Sequence, residues 1–107
     1  NLIGKSPATL PHVEGPIRIA IPPRPVEITW PDTRDLKHCL GHYIDVQIQV
    51  DEKGRILNVK APSGNHPEEC LLAAIDSAWK IVFEPGLVDG IPSRMWTQVR
   101  IDFRRKR

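Results

Sequence analysis

Five side chains in two short runs have the chemistry to hold a soft metal or to form a covalent bridge. "HCLGH" carries His38, Cys39 and His42, and "HPEEC" carries His66 and Cys70. Imidazole and thiol recur there at i,i+3 and i,i+4 spacing, so each run can present two ligands on one side of a turn. Three outcomes compete for Cys39 and Cys70: a disulfide, a Cys2His2-like zinc site, or two free buried thiols. Zinc ranks last, because neither pair has the tight knuckle usual for structural zinc.

Other chemistry finds little support. Glu68 and Glu69 fall where a helix would begin, and compensation of the helix dipole accounts for both. His12 sits in a proline-rich stretch with no orienting partner nearby. Ser63 in "PSGN" is a turn serine, without the strand, G-x-S-x-G and helix context of a strained nucleophile. The chain is therefore expected not to be an enzyme, and to need neither metal nor cofactor.

The totals narrow the choice further. A chain of 107 residues makes one domain at most. Six of the first 25 residues are proline, so residues 1–29 are expected to form an extended linker rather than to pack regularly. Residues 30–107 are then the domain. A net charge of +2 is too small to argue for nucleic acid, and the terminal "RRKR" reads as a solvated end. No window approaches the roughly 18 apolar residues of a membrane span, and no stretch of the sequence is expected to act as a signal peptide. The opening "NLIGKS" suits a fragment of something longer.

The elements that must position these residues follow from hydrophobic period. In "PDTRDLKHCLG", Asp32 or Thr33 is placed to cap a short helix that Gly41 ends. Ile44, Val46, Ile48 and Val50 then alternate with Tyr43, Asp45, Gln47 and Gln49, as in a half-buried strand. "DEKG" makes a hairpin turn with Gly54 at positive φ, and "RILNVKA" returns as the second strand. From Glu68 to Ile81 the period becomes 3.6, with Leu71, Ala74, Ile75, Ala78 and Val82 as the apolar stripe. "FEPGLVDGIP" reads as a loop. "SRMWTQVRIDF" is the third strand, with Met95, Thr97, Val99, Ile101 and Phe103 toward the core and Trp96, Gln98, Arg100 and Asp102 away from it.

The fold class expected is α+β with two layers. A three-stranded antiparallel sheet of order 2-1-3 packs against one main helix, and a short helix precedes the first strand. A right-handed crossover places the third strand beside the first. That topology brings the start of the first strand and the start of the helix to the same end of the sheet, so Cys39 and Cys70 can meet. It also leaves the second and third strands as edges. "PIRIAI" and "VEITW" alternate like strands, and their prolines would confine them to edges.

The stretch from Trp30 to Ile56 resembles the opening of the C-terminal domain of TonB-type energy transducers. In that family an aromatic–Pro pair precedes a short helix, a glycine and a "V-x-V-x-V-x-x-x-G-x-V" hairpin. Trp30-Pro31, Gly41, the Ile44–Val50 alternation and Gly54 fall at this spacing. Further on, Ser63, Gly64, Ala73, Ala74, Phe83, Pro85, Gly90 and Pro92 match the family's helix and following loop, and "VRIDF" resembles its closing strand. Cys70-Leu71, Pro85-Gly86 and Ile81 depart from it. The resemblance covers about residues 30–104.

The resemblance implies a periplasmic domain tethered to the inner membrane through a segment outside this chain. That segment would meet an ExbB/ExbD-type motor. The domain would grip the TonB box of an outer-membrane transporter by strand addition, transmitting force for uptake of cargo such as iron siderophores. A periplasmic setting makes the disulfide the favoured state of Cys39 and Cys70.

The gripping edge is expected on the third strand: Arg94, Met95, Trp96, Thr97, Gln98, Val99, Arg100 and Ile101. An open edge offers unpaired N–H and C=O groups that an extended peptide completes. Trp96 either meets that peptide or packs on the front linker or on Arg100. Trp79, Phe83 and Trp30 are expected to pack with the core. Two alternatives stay open. One is a non-transducing TonB-like module fused to a sensor, protease or secretion component. The other is a structural domain whose edge is closed by "PIRIAI" or "VEITW", or by homodimer formation.

Overall fold

A computed structural model describes residues 18–62, 64 and 66–105. His12, Ser63 and the last two residues of "RRKR" lie outside the described residues. The element order is β1 (Ala20–Ile21), β2 (Arg24–Glu27), a 3₁₀ turn (Lys37–Cys39), β3 (Tyr43–Val50), β4 (Ile56–Lys60), α1 (Glu68–Trp79), β5 (Val82–Glu84), β6 (Gly86–Val88), β7 (Ile91–Ser93) and β8 (Met95–Asp102). No described helix is long and apolar enough to cross a membrane.

The α+β class holds, but the single expected sheet is one of three among the described residues. The largest has the order β4-β3-β8, with both pairings antiparallel. Alternation explains it. Ile44, Val46, Ile48 and Val50 are each at most 1 % exposed, while Tyr43 and Gln47 stand exposed on the opposite face. The buried face packs under α1, together with Val99, Ile101 and Phe103.

Two smaller sheets account for the rest. β1-β6-β7 and β2-β5 are built from segments that the sequence reads as linker and loop. Pro85 separates β5 from β6. The Asp89–Gly90 turn then joins β6 to β7, with φ of 53° and 81°. Both central residues at positive φ make the primed turn that fits a twisted hairpin. Residues 20–27 supply the partner strands, and Arg24 pairs with Glu84 at 2.5 Å. The front segment is therefore not uniformly an unpacked linker. Deleting residues 1 to 28 would strip β5 of its partner β2 and leave β6 paired with β7 alone.

The helix also differs in phase from the expected stripe. Cys70, Ala74, Ser77 and Ala78 are its buried residues, whereas Leu71 and Ile75 are half-buried. Val82 and Trp79 are each 49 % exposed, so the core places expected for them are corrected; Phe83, at 6 %, is core. Two tethers set the rotation: Cys70 is bonded to Cys39, and the Ser77 hydroxyl donates to the Thr29 carbonyl.

The short helix is a single 3₁₀ turn without a side-chain cap. Asp32 instead accepts from the Arg34 N–H at 3.1 Å, and Thr33 donates to the Arg104 carbonyl at 2.6 Å. Trp30 is half-buried and lies under the Arg104 guanidinium, 4.1 Å from it, and is not among the residues packed on the buried core.

The β3–β4 hairpin is held by a buried carboxylate. Asp51 accepts from the Lys53 and Arg55 N–H groups at 2.9 and 2.8 Å, and from Arg55 Nε at 2.9 Å. Desolvation pushes its pKa up, but these hydrogen bonds together outweigh that and hold it below the ordinary carboxylate value. Gly54 closes the turn at φ 84°, and a Cβ there would sit 2.5 Å from the Phe83 carbonyl oxygen. Glycine is thus required twice, by backbone sign and by the approach of β5.

A candidate strand-docking edge

The geometry of β8 is set at its far end. Leu40 at φ −57° and ψ 136° and Gly41 at φ 81° form a type II turn closed by His42 N–H to Cys39 C=O. Gly41 then donates to the Phe103 carbonyl while Phe103 donates to His42, both at 3.1 Å. This is a glycine bulge that sets two residues of one strand against one of the other. It makes His42 and Phe103 a hydrogen-bonded pair.

From there the register runs unbroken, Tyr43 opposite Asp102 through to Val50 opposite Met95. Antiparallel pairs alternate between bonded and non-bonded. Met95, Thr97, Val99 and Ile101 therefore turn their N–H and C=O toward β3. Trp96, Gln98, Arg100 and Asp102 turn theirs outward. Among the described residues β8 pairs only with β3, so that outward row has no strand beside it. β1 pairs with β6 and β2 with β5; the described parts of "PIRIAI" and "VEITW" do not close this edge.

The side chains divide in the same rhythm. Val99 and Ile101 are buried, Met95 and Thr97 are half-buried, and Trp96, Gln98 and Arg100 are exposed. Arg94 precedes the strand and is exposed. A docked strand would thus meet an apolar side continuous with the core and an opposite side carrying an indole, an amide and a guanidinium. A shallow depression of about 250 Å³ lies along Gln47, Trp96, Thr97 and Gln98.

Among the described residues, the cation over Trp96 is Lys60 and not Arg100, which stacks on Tyr43. Trp96 is 43 % exposed, with Lys60 Nζ 5.0 Å from its ring centroid. Arg100 is held by Asp45, Nε to Oδ1 at 3.0 Å, and stacks 3.8 Å over Tyr43. The Asp45 hydrogen bond raises the Arg100 pKa further above its ordinary value. Lys60, Tyr43 and Asp45 were missed as supports by pattern reading. The signal lay in the register: Asp45 stands directly opposite Arg100, a cross-strand pair of opposite charge.

The cysteine cluster lies at the sheet's end. Cys39, the first residue of the type II turn, is joined to Cys70 in the first turn of α1, with 31 residues of separation and Cα atoms 5.9 Å apart. Both are buried, and His38 offers a nitrogen within 4.8 Å of the sulfurs. With the sulfurs bonded to each other, His38 faces Glu69 instead, 3.4 Å away. His42 and His66 do not join this group; both line a separate cleft on the open face of the sheet.

No protein-family model, curated protein or solved structure matches this chain. The described residues form a small α+β domain in which β8 has no strand partner other than β3.

Proposed function

We propose that this chain is a peptide-docking domain that grips an extended segment of another protein by strand addition along β8. The observation that carries the reading is an edge strand of eight residues, with alternate backbone groups turned outward over a continuous apolar underside. Such an edge completes its hydrogen bonds with any extended chain, and adjacent side chains select which one. Pulling along paired strands loads many hydrogen bonds together, which suits force transfer. The residues shared with TonB-type transducers make a transporter's TonB box the proposed occupant, with an inner-membrane ExbB/ExbD-type motor as the source of pull. A disulfide between the 3₁₀ turn and the helix suits a periplasmic location. A TonB-like module serving another assembly would dock its partner the same way.

The test uses backbone alternation. Gln98→Pro removes an outward N–H and leaves the β3 ladder intact, a placement that edge strands tolerate. It is expected to abolish binding of a synthetic TonB-box peptide in an NMR titration, while the spectrum stays folded. Thr97→Pro, which removes an inward N–H, is expected to disrupt the sheet. Undiminished binding by Gln98→Pro would place the peptide elsewhere.

A further inference from the structure

We propose a second docking site, on the opposite side of β3, for a short extended peptide segment that carries an acidic side chain. It uses the backbone groups of β3 that face β4 rather than the outward groups of β8. The residues of β3 that do not bond to β8 turn their backbone groups toward β4: Gln49 opposite Asn58, and Gln47 opposite Lys60. Asp51, in the same phase, donates to the Arg55 carbonyl at 2.8 Å. Were the register to run on by two residues, the place opposite Asp45 would fall to Pro62, but the pairing ends at Gln47 and Lys60. Proline has no N–H to donate, and β4 ends at Lys60. The ladder stops with half of β3 still to run. Among the described residues, no backbone group pairs with Tyr43 or Asp45 on this side.

The vacated side opens into a cleft of about 690 Å³, lined by His42, Tyr43, Asp45, Lys60 and His66 among others. Its charge selects the occupant. Asp45 is already engaged by Arg100, at 3.0 and 3.4 Å, so its carboxylate is matched. Lys60 is over the Trp96 ring and makes no ion pair with a carboxylate among the described residues. A residue seated opposite Asp45 would be two places along the same line from Lys60. Its side chain would stand on the same face as the ammonium. A Glu or Asp there completes a charge-assisted hydrogen bond that neutral side chains do not supply. The open stretch from Tyr43 to Asp45 accommodates a motif of about three or four residues at the rise of a strand.

The probe is the capped peptide Ac-Val-Glu-Val-Glu-Val-NH2, titrated into the full chain and followed by amide shifts, with the Lys-for-Glu peptide as its counterpart. Shifts are expected at Tyr43, Asp45 and Lys60. Lys60→Glu should weaken binding about tenfold or more. Pro62→Val supplies the missing N–H opposite Asp45, extends β4 and should abolish binding. The proposal is overturned by shifts confined to β8, by equal binding of the Lys peptide, by unchanged affinity in Lys60→Glu, or by no shifts at millimolar peptide.

Discussion

Phe103→Ala is expected to lower folding stability by about 3–5 kcal/mol, the usual range for emptying a buried aromatic site. Phe103 is 2 % exposed and is the largest of the fully buried side chains. It belongs to the same buried cluster as Ile44, Ile101 and Cys39. Its backbone anchors the bulge with Gly41 and His42, so the substitution leaves the ladder's hydrogen bonds in place and removes packing alone. Domains of this size are stable by only about 5–15 kcal/mol, and the variant should lie near the unfolding threshold. Urea denaturation reads the change. A loss under about 1 kcal/mol would mean that Phe103 does not seal the core.

Breaking the Cys39–Cys70 bond is expected to cost about 3–4 kcal/mol in the chain-entropy account of a loop of this length. In melting temperature that is a drop of roughly 12–25 °C. The bond ties the turn before β3 to the first turn of α1, so its loss also frees the helix that covers the sheet. Thermal melts with and without reductant measure it, and alkylation before and after reduction counts the thiols. An unchanged melt, or equal labelling in the two conditions, would contradict the bond's structural role.

The central sheet was legible because its residues obey one period at a time. The alternation from Tyr43 to Val50, the Gly54 turn and the alternation through β8 each specify a strand and a face. Together they yield the order that β4, β3 and β8 adopt. The small sheets were hidden by proline. Pro22, Pro23 and Pro25 argue against regular pairing, yet a two-residue and a four-residue strand need few donors. Asp89-Gly90 carried the hairpin signal plainly, but two prolines and short flanks read as loop. The phase of α1 depended on tethers distant in sequence, Ser77 to Thr29 and Cys70 to Cys39, which local period does not encode. At the docking edge, the exposed and buried faces of β8 could be read from alternation. Which of its backbone groups turn outward required the bulge at Gly41.

Hydrogen exchange along β8, with and without a synthetic TonB-box peptide, tests the central claim most directly. In the free chain the amides of Trp96, Gln98 and Arg100 are expected to exchange quickly, while those of Thr97, Val99 and Ile101 are protected by β3. Adding the peptide should slow the first set and leave the second unchanged. Protection of Trp96, Gln98 and Arg100 before any peptide is added, or no slowing after it, would contradict the account.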